Sequence, residues 1–551
     1  MAVRNKWLVL GAAVFGLFMA ILDASIVNIA IPSIEQDLET DIETVTWVLN
    51  AYNLVFAVLL IPAGRIADRV GRKKLFVAGV IVFSLSSLGA GLSPQIEMLI
   101  AWRAVQAAGG AIMVPVSLAI VTLVFPANQR GLALGVWGGM AGVAGAVGPT
   151  LGGVLTEYVG WEWVFLVNVP VGLVAVPAIL AIVPESRDTS TGQRIDLPGA
   201  ALLAVALFSL TLALVRGQEV GWSSAFIAGL FATSAVFGAL FVAAEAVVSQ
   251  PIIDLRMLRD RAFAAANATV LLFGIGFFGA LFLVVQYLTV VEGYSTLESA
   301  FALTPFPACI LLTGPVAGRL TDLLGPRRLA FSGVLLFGTA LLFLSRLGGE
   351  VPYPMIAWRL AIAGVGAGLT FAPLTTAAMG GVAGGRAGVG AGVFNTARQV
   401  GFTVGLAILV AVFLGALPSR LSEAQNEAVT VVEQSDLPGP AKEAIAQGIL
   451  SSPAGQAGVG VRSGTAPEFD LYGQLKRTGQ TELAESLRPS LDALSEELRS
   501  VFARNTAGAF SRAFLVAAII LWSGLLPAFL VPQETSAGSG PAPPRLPDGA
   551  M

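Results

Sequence analysis

The chain has 551 residues, of which 55% are hydrophobic and only 12% charged, and its mean hydropathy is +0.79; an average soluble domain is about 25% charged. That composition excludes a water-soluble protein, and one cysteine (Cys309) with no histidine excludes an internal disulfide, a His/Cys metal site and a histidine proton relay. The net charge of -3 is uninformative as a sum, because charge in a membrane protein acts by location.

Apolar runs of the roughly 20 residues that cross a bilayer recur along the chain, separated by short loops rich in Gly, Pro and Arg. They predict fourteen spans, at residues 7–31, 45–63, 74–92, 96–123, 132–155, 164–183, 198–215, 222–247, 263–289, 299–317, 329–347, 354–377, 388–416 and 508–531. Arg4 and Lys6 precede the first run as in a secretion signal, but the run is too long for a leader's apolar core and predicts an uncleaved helix. Inside it stands Asp23. A carboxylate at a span's centre costs roughly 2.5–3.5 kcal/mol on insertion scales, so it marks a functional position by default. If its surroundings alternate between closed and wet it can load and release a proton; a permanently bonded structural carboxylate is the alternative.

Between the second and third spans runs "GRIADRVGRKK", residues 64–74. Gly64 and Gly71 suit tight turns, while Asp68 can accept from a helix N-terminus or an arginine in one of two bundle states. Arg69 and Arg72 serve topology, a task that does not need Asp68. The fourth span carries Arg103, the natural partner of Asp23 unless it snorkels to the interface, and Gln106 one turn on. The fifth span holds "GAVGPTLGG", in which Gly145, Gly148, Pro149, Gly152 and Gly153 allow close helix approach and a bend. Residues 304–318 are the best candidate for its facing helix, and a plain packing kink is the alternative.

Arg and Lys gather in alternate short loops, from Arg65 and Lys73 through Arg130 and Arg256 to Arg386, against only Arg216 and Arg346 in the others. The positive-inside rule places both termini in the cytoplasm. Two segments repeat: "AGRIADRVGRKKL" (63–75) with "AGRLTDLLGPRRL" (317–329), and "IAWRAVQAAGGA" (100–111) with "IAWRLAIAGVGAG" (356–368). The offsets, 318-64=254 and 359-103=256, are nearly constant and cover eight spans. Two six-span halves, residues 1–183 and 263–531, with two extra helices spliced between them in 184–262, account for that, a layout of secondary transporters. In the second half Arg319 and Asp322 are the weaker counterparts of the first latch, and Asp23 has only apolar counterparts in span nine. Residues 417–505 form one long hydrophilic excursion, expected as a partly helical external cap, and residues 532–551 a low-complexity tail.

The ordered motifs resemble the major facilitator superfamily, and within it the fourteen-span drug:proton antiporters. "LDASIVNIAIP" (22–32) is similar to that branch's first-helix signature with Ser25 where Thr is usual, and "LIAWRAVQAAGGA" (99–111) to its fourth-helix motif with Ala107 for glycine. "GRIADRVGRKK" is similar to the superfamily loop, and "GAVGPTLGG" (145–153), followed by "GWEWVFLVNVPVG", to the antiporter motif. The resemblance implies an all-α integral membrane fold of two six-helix bundles and export in exchange for protons, with Asp23 and Arg103 in proton coupling. A cavity for hydrophobic or cationic molecules needs apolar walls with sparse polar groups. Tyr52, Asn53, Gln106, Trp137, Gln286, Phe371, Asn395 and Arg398 are the candidates, Asn395 and Arg398 the better ones.

The expectation is therefore a proton-driven multidrug exporter in a bacterial cytoplasmic membrane, working by alternating access. It needs no cofactor or metal, only the proton gradient, and its partners are small molecules, protons and lipids, with no nucleic acid; a monomer is expected. A dedicated exporter of one antibiotic, metabolite, amino acid or lipid is the nearest alternative, and a non-transporting sensor the alternative from another class. No G-x-x-x-x-G-K-[ST] loop is present for an ATP-driven pump, nor an enzyme's catalytic constellation.

Overall fold

The computed structural model describes residues 5–187, 196–248, 251–349, 351–451, 471–477 and 485–533. Fourteen helices among them are long and apolar enough to cross a membrane, as many as the hydropathy pattern predicts. Where lipid offers no hydrogen bonds, a helix satisfies its backbone internally, and long apolar runs fold this way throughout. The first six are α1 (Lys6–Asp37), α2 (Trp47–Val70), α3 (Arg72–Gly91), α4 (Ile96–Val124), α5 (Ala127–Tyr158) and α6 (Asn168–Ile182). Then come α7 (Leu197–Val220) and α8 (Ala225–Val247). The last six are α9 (Arg261–Val290), α10 (Pro305–Leu324), α11 (Pro326–Leu344), α12 (Tyr353–Gly380), α13 (Ala387–Gln434) and α14 (Arg488–Ser523).

Polar side chains start several of these helices where their first N–H groups lack partners. Asp196 accepts from the Gly199 N–H at 2.9 Å and Asp260 from the Phe263 N–H at 2.8 Å. The segment 64–74 is almost wholly helical: α2 runs to Val70, α3 begins at Arg72, and Gly71 alone breaks them, at φ +120°. The expectation of a turn therefore holds for Gly71 and fails for Gly64, which lies inside α2 with its Cα face against the Gly388 carbonyl of α13. Its small size serves helix contact rather than chain reversal.

One core joins α1 to α6 around Phe56, Phe76, Phe83 and Trp137, and another joins α9 to α14 around Phe273, Phe337, Phe413 and Phe510. Two glycine seams connect them. On one, Gly131 and Gly135 of α5 meet Gly318 and Gly314 of α10, backbone to backbone; on the other, Gly64 meets Gly388 and Gly392 meets Leu60 and Ile61. The hairpin α7–α8 packs Leu203 and Phe241 around Ile61 of α2, with Val393 of α13 beside them. The 48 residues of α13 span about 72 Å, far beyond a hydrocarbon layer of about 30 Å. Its distal end packs Leu421, Ala428 and Val432 with Ile445, Leu494 and Leu498, forming a small helical lobe where the hydrophilic excursion is expected. The flexible stretch expected within it and the low-complexity tail fall, for residues 452–470 and 534–551, outside the described residues.

Candidate functional site

Asp23 is fully buried within the first six spans and receives three donors. Arg103 Nη1 donates to Oδ2 at 2.5 Å, while Gln106 Nε2 and Asn168 Nδ2 donate to Oδ1 at 2.8 and 3.1 Å. Arg103 also donates from Nη1 to Gln106 Oε1 at 2.7 Å and from Nε to the Val48 carbonyl at 3.1 Å. Its guanidinium carbon lies 4.3 Å from the Tyr52 ring centroid. Ser87 closes the cluster, accepting from Gln106 and Asn168 at 3.0 and 3.1 Å and donating to the Phe165 carbonyl at 2.8 Å. Arg103, Gln106, Ser87 and Asn168 are all at most 1% exposed, so Arg103 does not snorkel. A buried charge survives only when paired and hydrogen-bonded, and five helices (α1, α2, α3, α4 and α6) converge here to meet that condition.

Ser87 and Asn168 are absent from the sequence-derived candidates. Asn168 carries a legible signal, an amide at the start of the otherwise apolar sixth span; Ser87, one serine among several in the third span, carries none. Three proposed cavity residues lie elsewhere. Tyr52 and Gln106 belong to the Asp23 cluster, and Trp137 is 1% exposed with its indole N–H on Ser117 Oγ at 3.1 Å, a packed residue between α5 and α4. Burial in all three leaves no surface for a ligand in this conformation.

The remaining candidates sit where the helices are less closely packed. Asn53 and Gln286 are half-buried on α2 and α9. Phe371 of α12 faces Gly138 of α5 and stacks edge-on against Phe273 and Phe277, with centroids 5.1 and 5.3 Å away. Asn395 is 1% exposed, its amide donating to the Ala391 carbonyl at 2.9 Å and its Oδ1 unpartnered. Arg398, one turn on, makes no hydrogen bond or ion pair among the described residues, and its guanidinium carbon lies 5.9 Å from the Phe402 ring centroid.

At the end of the bundle that carries the basic loops, two carboxylates bind across the seams. Asp68 accepts from the Gly388 and Val389 N–H groups at the start of α13, at 2.8 and 3.0 Å. Arg72 donates to Asp68 from Nε and Nη2 at 3.0 and 2.6 Å and reaches on to the Gly384 carbonyl at 2.8 Å. Arg69 stands half-buried in the last turn of α2. Across the pseudo-repeat, Asp322 accepts from the Gly131 and Leu132 N–H groups at the start of α5, at 3.0 and 3.3 Å. Each carboxylate thus sits on the positive end of a helix from the opposite set of six. Arg319 is exposed and forms no ion pair with Asp322 among the described residues, so this second latch lacks the arginine bridge expected of it.

The antiporter-motif glycines meet a different helix from the one expected. Gly148 and Gly152 press on Ser25 and Ile26 of α1, Gly145 approaches Ile21 and Ser25, and Gly153 has Leu297 at 3.7 Å. Residues 304–318 are contacted instead by the earlier glycines of α5, from Gly131 to Gly142. Gly142, Gly145, Gly148 and Gly152 continue the stripe of the earlier glycines at three- and four-residue spacing, so the partner changes along α5, from α10 to α1, and the linear motif alone does not show where that change falls. The side chain of Pro149, and so the bend expected there, lies outside the described residues.

The Major Facilitator Superfamily model matches residues 13–406. The chain belongs to that superfamily. It is 34% identical over 429 residues to the multidrug resistance protein Stp of Mycobacterium tuberculosis, covering 77% of this chain and 79% of the relative. It is 33% identical to the tetracenomycin C resistance and export protein of Streptomyces glaucescens, over 74% of this chain and 75% of that one. The fold matches the solved proton:xylose symporter XylE at a TM-score of 0.54 and 12% identity, covering 75% of this chain and 89% of that chain. This is a fourteen-span major facilitator protein, with the extra pair α7–α8 between its six-helix bundles.

Proposed function

We propose that this major facilitator protein exports hydrophobic small molecules in exchange for protons, by alternating access across a bacterial cytoplasmic membrane with its basic loops inside. The observation that carries the reading is the Asp23 cluster. Among the described residues Asp23 is the one acidic residue deep within a membrane-crossing segment, well away from the helix ends, and its counter-charge is Arg103 at 2.5 Å. Protonating Asp23 removes that counter-charge and leaves a buried guanidinium uncompensated, a state costly enough to drive rearrangement of the helices around it. Arg103 stays charged throughout, so it senses the proton without carrying it.

With both latches formed the bundle is closed on the cytoplasmic side; Asp23 is itself buried in this state, so its loading from outside requires the cluster around it to open outward. Opening inward breaks the bonds of Asp68 and Asp322 to the starts of α13 and α5 and separates the glycine seams. Each inward proton contributes about 2.3 kcal/mol per 100 mV, enough for roughly a fiftyfold gradient of a neutral substrate at one-to-one coupling.

The test is flux into or out of proteoliposomes under an imposed pH gradient, with a panel of unrelated dyes and antibiotics, comparing wild type with Asp23→Asn. Gradient-dependent transport lost in the folded variant is the expected result. Coupled transport preserved in Asp23→Asn overturns the proton role, and transport of one compound alone turns the reading into a dedicated exporter.

A further inference from the structure

Charge in the middle of the membrane is unevenly spent. The deep carboxylate, Asp23, is consumed by Arg103, Gln106 and Asn168 and is fully buried, so it offers nothing to a cationic ligand. Arg398 lies at a comparable depth, about three helical turns into α13, and has no acidic partner among the described residues. Arg398 is half-buried, and its Nε is buried without a hydrogen-bond partner. Arg398 is thus a deep positive charge with no carboxylate paired to it among the described residues.

Two further features surround that charge. One turn before it, the Asn395 Oδ1 is buried without a partner, an acceptor awaiting a donor; residues three apart on a helix share a face. One turn after it, Phe402 stacks on Phe277 and Phe278 with centroids 5.6 and 5.2 Å away. Flat apolar rings, a free guanidinium and an unfilled acceptor are side by side.

From this juxtaposition we infer that the preferred substrates are planar aromatic acids: ring systems ionised near neutral pH through a carboxylate or acidic phenol, and bearing a hydroxyl. The ring lies on the Phe402 stack and the anionic oxygen pairs with Arg398; Asn395, buried in this conformation, receives the hydroxyl only once the helices around it part. A permanently cationic molecule meets a like charge at the same place, with no free carboxylate paired to Arg398 among the described residues to balance it. This deepens the export reading by assigning the charge class of its cargo, and it narrows the hydrophobic or cationic range expected from sequence.

The experiment is equilibrium binding to the full chain in nanodiscs with no gradient, read by fluorescence polarisation. Fluorescein and rhodamine 123 are the probes, one xanthene framework in anionic and cationic form. Fluorescein is expected to bind at least tenfold more tightly than rhodamine 123. Arg398→Gln should weaken fluorescein at least tenfold and leave rhodamine 123 equal or tighter, and Arg398→Lys should recover part of the loss. Rhodamine 123 binding as tightly as fluorescein to the wild type, no fluorescein binding at all, or fluorescein affinity unchanged in Arg398→Gln each overturns the assignment. The wild-type comparison decides even if the variant does not fold. Failure of proton-coupled flux with fluorescein binding intact would count against export alone.

Discussion

Asp23 stands out in the sequence because an isolated carboxylate in an apolar run has no cheap explanation. What holds it is less visible. Arg103 follows from its own isolation, but Ser87 and Asn168 are neutral polar residues of a kind common in spans, and only the rotation of α3 and α6 brings them to one point. The same holds for the contrast with the second half, where the offset of 254 carries Asp23 onto 23+254=277, Phe277, at the centre of an aromatic stack. One bundle is built around a charge and its counterpart around rings. The arrangement predicts a particular order of stabilities. Arg103→Gln leaves a buried carboxylate unpaired and should cost about 3–5 kcal/mol, whereas adding Asp23→Asn removes the orphan charge and should recover much of the loss. Arg103→Lys should fall between, since a single ammonium cannot serve Asp23, Gln106 and the Val48 carbonyl in the fork's geometry. Thermal unfolding of the purified variants measures this, and a double variant less stable than Arg103→Gln would contradict it.

Between helices, glycine carries more than the sequence pattern separates. Turn glycine and packing glycine look alike in a sequence, so Gly64 suggests a chain reversal and in fact lets α2 touch α13, while Gly71 alone, at φ +120°, makes the turn. A Cβ at Gly64 would overlap the Gly388 carbonyl, backbone that cannot swing aside. Gly64→Val should therefore separate α2 from α13, strip Asp68 of its two N–H donors, and open the basic face. A cysteine placed near Gly388 in a Cys309→Ala background should then react faster with a thiol reagent applied from that face; an unchanged rate would show that the seam does not hold this side closed. Asp68→Asn should act in the same direction more gently, because one oxygen remains to accept while the Arg72 ion pair is lost. Each 1.4 kcal/mol removed from the latch lowers its closed-to-open ratio tenfold. Asp322→Asn should shift that ratio less, since Asp322 is half-buried, its N–H contacts are longer, and Arg319 does not reinforce it.

For the molecule as a whole, the span count and the duplicated plan are legible because hydropathy and basic loops repeat in register, whereas the place of α7–α8 is not, since two apolar helices with no charge pattern can dock on any lipid-facing side. They dock along the seam between α2 and α13 through most of its depth. Near the basic face Leu203 lies in one cluster with Ile61 of α2 and beside Val393 of α13. Near the other face Arg216 pairs with Glu43 at 3.4 Å and lies 5.8 Å from the Trp47 ring centroid, both at the α2 end, while Gln218 reaches the Ala407 carbonyl of α13 at 3.4 Å. Leu197–Val220 packs on both α2 and α13, but among the described residues its polar ties to the first bundle are an ion pair and a cation–π contact, against one long hydrogen bond to the second. A wall fixed so unequally should travel with the first bundle and slide over the second as the two rock. Cysteines at positions 43 and 216, joined by a short bifunctional thiol reagent in the Cys309→Ala background, should then leave flux nearly unchanged, while the same linkage between 218 and 407 should arrest it and reduction should restore it. Arrest by the first linkage, or full flux through the second, would mean that the hairpin moves with the second bundle or not at all.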